Sequence, residues 1–204
     1  MVKRIIKFMK AVVSVFTLTL LVYAIIVTTY FVTTIFNQNV LKAGSLIKES
    51  DSFVATVIAI HNLEKAPKEH LVAVKKEGYK IVISDEQLDA AETRYEQYLR
   101  KDINIVGLCC PSEKIIYLSE DVSQIGDTVL HEFGHAIDLT NGYSKTAEFK
   151  ECYDSEKDGI REYARQNARE YFAETYMLCC KTISSNLCMK YSFPETMEFL
   201  KTIQ

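Results

Sequence analysis

His131-Glu132-Phe133-Gly134-His135 sets two histidines four residues apart, with a glutamate directly after the first. Residues i and i+4 of a helix share a face, so both imidazoles can reach one Zn²⁺ while the glutamate takes a proton from a water on that ion. This chemistry needs a helix beneath it. Val129, Leu130, Phe133, Ala136, Ile137 and Leu139 recur at helical spacing, Asp127 is placed to cap the start, and Asn141-Gly142 supplies a stop. The expected element is a short amphipathic helix carrying the motif.

A catalytic zinc takes three protein ligands and keeps a fourth position open for water. Several side chains compete for the third place. Asp138 lies on the face of His131 but about 4.5 Å further along the axis than His135, which suits a hydrogen-bond partner behind the ligands better than a ligand. His61 and His70 flank a polar stretch and read as surface histidines. Glu170 and Glu174 are four apart, with Tyr171, Phe172, Ala173 and Met177 around them. Two carboxylates on one face of an otherwise apolar helix are costly to bury unless paired or metal-bound. Arg165 and Arg169 are alternative partners if that face is solvated. The residues alone leave the choice open.

Read together, the histidine motif, Tyr163, and Glu170-Tyr-Phe-Ala-Glu174 beginning seven residues after that tyrosine resemble the anthrax lethal factor-type zinc metallopeptidases, which include the bacterial Pro-Pro endopeptidases. The helix-Gly-strand pattern of 67–84, Phe149-Lys-Glu, and the closing stretch from Phe193-Pro-Glu to Leu200 are also similar, so the resemblance spans most of 50–204. It implies a zincin-like fold and one Zn²⁺ per chain held by His131, His135 and Glu170. It further implies Glu132 as general base and later proton donor, Tyr163 steadying the oxyanion, and Glu174 orienting a ligand histidine from behind. The substrate would be a protein or peptide lying extended along an edge strand, for which Lys114–Ser119 is the expected edge. The chain has no tryptophan, and the stretch matching the aromatic loop of the Pro-Pro endopeptidases is short, about Cys109–Glu113.

Around the motif helix, helices are expected over 53–63, 68–76, 85–100, 147–157, 167–181 and from Pro194 to about 203, with strands over 79–84, 103–109 and 114–119. The fold class is α+β, mostly helical with a small sheet.

Residues 1–10 are basic, through Lys3, Arg4, Lys7 and Lys10, and 11–36 are uncharged and largely apolar, long enough to span about 30 Å of hydrocarbon as a helix. The run exceeds the apolar core of a cleavable signal and has no evident small-residue cleavage site, which favours a single-pass signal anchor over a cleaved peptide. The flanking bases put the N-terminus in the cytoplasm and the rest outside. The expected organisation is 1–10 cytoplasmic, 11–36 transmembrane, 37–50 a connector, and 51–204 the catalytic domain. Beyond residue 36 stand 27 acidic against 20 basic residues, about −7, which argues against a nucleic-acid surface. Six cysteines permit disulfides in an exported domain but equally suit buried thiols. The expected activity is that of a membrane-anchored zinc endopeptidase. Alternatives are the same enzyme secreted after signal cleavage, or a non-catalytic zinc-dependent binding module at the cell surface.

Overall fold

The computed structural model describes residues 13, 15–29, 38–98 and 104–203. The fold begins with α1 (Gln38–Gly44) and β1 (Ile47–Ser50), then α2 (Phe53–Leu63), α3 (Lys68–Lys76), β2 (Lys80–Ile83) and α4 (Asp85–Tyr95). A hairpin of β3 (Gly107–Cys110) and β4 (Ile115–Leu118) leads into α5 (Ile125–Asn141). Then come α6 (Ala147–Glu156), α7 (Ala168–Lys181), α8 (Ile183–Ser192) and α9 (Pro194–Thr202). Helices with a small sheet are thus the architecture, as expected.

The four strands lie in the order β1-β2-β4-β3, with β1, β2 and β4 mutually parallel and β3 antiparallel to β4. Alternation sorts their side chains to two faces. Ile81, Ile83, Ile116 and Leu118 join the main core, together with Val129 and Phe133 of α5. Val82, Tyr117 and Cys110 turn to the other face, against Leu88 and Ala91 of α4. The chain's largest apolar cluster therefore lies between sheet and α5 and continues into the helices behind it.

Three expectations are corrected. Residues 38–50 are not a connector: they form α1 and β1, because Ala43 and Leu46 bury completely and the short polar strand pairs with β2. The strand at 115–118 is not an edge: β2 and β3 flank it, and the edge beside α5 is β3. Asp127 does not cap α5, which begins two residues earlier, after Gln124, leaving Asp127 in its first turn. The end of α5 is as expected, with Gly142 at a left-handed φ of 75°. Helix α8 had no signature in the sequence reading.

Of the apolar run 11–36, residues 13 and 15–29 are described, and they are helical and exposed; 11, 12, 14 and 30–36 lie outside the described residues, as do 1–10. Among the described residues no helix is long and apolar enough to cross a membrane.

Candidate metal centre

The centre is assembled where α5 crosses α7. Gly134 makes the crossing close: a Cβ there would fall 3.0 Å from the Ala173 Cα and 3.2 Å from its carbonyl oxygen. The face of α7 turned to α5 carries Glu170, Ala173, Glu174 and Met177, the i, i+3, i+4, i+7 set of one helical stripe. The start of α7 is fixed by Asn167, whose side chain accepts from the backbone N–H of Arg169 and of Glu170, both at 3.0 Å.

The geometry gathers His131, His135 and Glu170. One ligand-capable atom of each lies within 4.8 Å of the others. Glu170 Oε2 is 3.4 Å from His131 Nε2 and 3.3 Å from His135 Nε2. That oxygen is buried and has no hydrogen-bond partner. Two imidazole nitrogens and an orphaned carboxylate oxygen turned on a common point are the donor set of a tetrahedral zinc site with one position left open. The residues therefore fit the metal that the sequence suggests.

The ligands' electrostatics agree. Burial disfavours charge on His131, but Glu170 and Glu174 outweigh it and raise its pKa to about 9 in the metal-free protein. Burial likewise opposes the ionised form of Glu170, yet the two histidines hold its carboxyl far below the usual range. Glu174, buried at 4% exposure, sets Oε2 3.3 Å from His131 Nδ1, an ionic approach without hydrogen-bond alignment.

Glu132 is buried beside this cluster and lines both arms of an open cleft, of about 400 and 650 Å³. Tyr163, in a 3₁₀ turn at Glu162–Gln166, also lines both arms, its ring centroid 6.0 Å from that of His131. Burial, with Glu170 and Glu132 nearby, keeps its hydroxyl protonated far above neutrality. Gly107 of β3 forms the third wall. A Cβ there would lie 2.5 Å from Thr128 Cγ2 and 2.9 Å from Glu132 Cγ, so only a bare backbone lets the strand edge approach the glutamate.

Asp138 stands apart from the cluster. Both its carboxylate oxygens accept from Ser144, one from the backbone N–H and one from the hydroxyl, each at 2.6 Å. It ties down the turn after α5 and bonds no ligand histidine, so the role behind the ligands expected for it falls to Glu174 alone. His70 is not at the surface: it is buried between Tyr176 and the Ile203 carbonyl, away from the cluster. His61 is exposed and pairs with Glu64. Sequence reading missed Gly107 and Arg161. Arg161 pairs with Glu174, and its only signal was proximity to Tyr163. None of the six cysteines is joined in a disulfide.

This fold and this cluster define a class. Residues 50–203 match the family described as "Anthrax toxin lethal factor, N- and C-terminal domain", and the chain belongs to that family. The lethal factor of Bacillus anthracis is 29% identical over 126 residues, covering 52% of this chain and 16% of that protein. The chain thus matches about a sixth of that much longer relative. Among solved structures, the PRO-PRO endopeptidase (PPEP-2) from Paenibacillus alvei superposes with a TM-score of 0.67 at 21% identity, over 80% of this chain and 100% of that one. At that identity the likeness speaks to the fold.

Proposed function

We propose that this chain is a zinc-dependent endopeptidase, held at a membrane by its N-terminal apolar segment and cleaving extended stretches of extracytoplasmic proteins. The observation that carries the reading is the convergence of His131, His135 and Glu170 on one point beside Glu132, at the centre of an open cleft.

Zinc, when bound, would supply Lewis acidity, making a water acidic near neutrality and polarising a carbonyl. The remaining chemistry is the chain's. Glu132 faces the cleft one residue from a ligand, positioned to take the water's proton and return it to the leaving amine. The Tyr163 hydroxyl, kept protonated, donates a hydrogen bond to the oxyanion. Glu174 steadies His131 through its far nitrogen.

Strand β3 would dock the substrate. Ser119 N–H donates to the Val106 carbonyl at 2.9 Å, and antiparallel bonding alternates along a strand, so Leu108 and Cys110 also bond β4. The N–H and C=O groups of Gly107 and Cys109 then face the free edge, ready for a peptide backbone. The outer wall is the hairpin tip, pinned to α4 as Glu113 accepts from Tyr95 and Tyr117 and pairs with Arg94.

The test uses the full chain in detergent and its Glu132→Ala variant, each loaded with zinc and incubated with a diverse peptide mixture. New termini from the wild type alone, suppressed by a chelator, are expected. Equal cleavage by both proteins, or none by the wild type with zinc bound, would reject the reading.

A further inference from the structure

Arg161 lines one arm of the cleft, just ahead of the turn that carries Tyr163. Its guanidinium donates to Glu174 Oε2, the same oxygen that approaches His131 Nδ1. Its Cζ also lies 5.9 Å from the Tyr163 ring centroid, within cation–π reach. Arg161 is half-exposed, whereas the Glu174 side chain is 5% exposed.

A carboxylate buried that deeply, one turn from Glu170, is costly to bury unless a cation pairs with it. Arg165 and Arg169, nearer to Glu174 in sequence, are not the residues paired with it; Arg169 lines the other arm of the cleft. A planar guanidinium can hold an oxygen at one edge while its flat face lies along a ring, whereas an ammonium meets both partners from a single compact point.

We infer that Arg161 is a positioning residue: it holds Glu174 against His131 and Tyr163 against the cleft with one guanidinium, coupling ligand orientation to placement of the oxyanion donor. Arg161 touches neither metal nor substrate in this role. Its effect on Tyr163 rests on the peptidase reading, but its effect on metal binding does not.

The experiment measures Co²⁺ affinity by chelator competition, and the visible Co²⁺ spectrum, on the full chain in detergent. Arg161→Ala should lower affinity by about tenfold or more, the scale of losing a partner behind a ligand. Millimolar guanidinium ion should restore it. Arg161→Lys should keep affinity within about threefold while still lowering kcat, since the charge returns without the flat guanidinium face along the ring. Arg165→Ala, a change of an exposed neighbour, is the control and should match wild type. Arg161→Ala affinity within twofold of wild type and an unchanged spectrum would overturn the inference, as would loss without guanidinium rescue. If Arg161→Ala fails to fold, judged by melting of the metal-free protein, the lysine variant decides: full kcat would overturn the ring contact. Arg161-dependent Co²⁺ binding without cleavage of any peptide would sink the peptidase reading alone. Cleavage with Arg161-independent Co²⁺ binding would sink this inference alone.

Discussion

Replacing Gly134 with alanine tests whether the crossing of α5 and α7 sets the metal geometry. The new Cβ would meet the Ala173 Cα at 3.0 Å, where ordinary contact begins at 3.4 Å, so the helices must part by about 0.4 Å. His131 and His135 ride on one helix and Glu170 on the other, one turn from Ala173. Metal–ligand distances hold to about 0.2 Å, so this opening exceeds what three fixed ligands tolerate. Zinc affinity should fall by about 10- to 100-fold, or about 1.4–2.7 kcal/mol. Overpacking costs about 1–3 kcal/mol, and alanine returns about 1 kcal/mol over glycine within a helix. The metal-free protein should therefore lose no more than about 2 kcal/mol. Chelator competition gives the affinity, and thermal melting of the metal-free protein gives the stability. Affinity within twofold of wild type would show that the crossing distance does not govern the site.

Gly107→Ala should press on Thr128 and Glu132, lowering kcat by about tenfold or more while zinc affinity stays unchanged; a parallel fall in affinity would refute the division of labour between β3 and the ligands. Tyr163→Phe should lower kcat by about 10- to 1,000-fold with little change in KM, read from steady-state cleavage of a peptide found by the library screen. Acidity offers a fourth check. In the metal-free protein burial opposes charge on His131, but Glu170 and Glu174 raise its pKa to about 9, above the unfolded value near 6.5. Its stabilising contribution is thus full below about pH 6.5 and lost as pH rises through 9. Zinc must displace that proton, so affinity should climb about tenfold per pH unit between 6.5 and 9. Calorimetry in buffers of different ionisation heat should count about one proton released per zinc at pH 7.5. Zero would refute the coupling.

The chemistry of this chain was legible in its sequence where it rests on local spacing. His131, Glu132 and His135 follow from one helical turn, and Glu170 with Glu174 from another. The pairing of those turns came from the family resemblance and not from spacing, because the crossing depends on Gly134 meeting Ala173, a contact between positions 39 apart. The edge strand was misplaced for a related reason. Gly-Leu-Cys-Cys at 107–110 has weak strand propensity, while Ile-Ile-Tyr-Leu at 115–118 has strong propensity and reads as a binding strand in its own right. Sheet order decides which strand is outermost, and no local pattern encodes it. Segment 37–50 reads as a connector because it is polar and brief. Two buried side chains, Ala43 and Leu46, suffice to fold it onto the domain.

That fold-back has a mechanical consequence. Strand β1 runs parallel to β2 at the margin of the sheet far from the cleft, and α1 directly precedes it in the chain. Asn39 also anchors α1 by donating to the Glu64 carbonyl at 3.1 Å. In the anchored form proposed above, a pull that reaches Gln38 is therefore delivered first to α1 and then to a strand of the sheet. A protease that sheds the domain intact must cut before Gln38. A cut between Gly44 and Ile47 would strip a helix from the body and leave the outer strand without its lead-in.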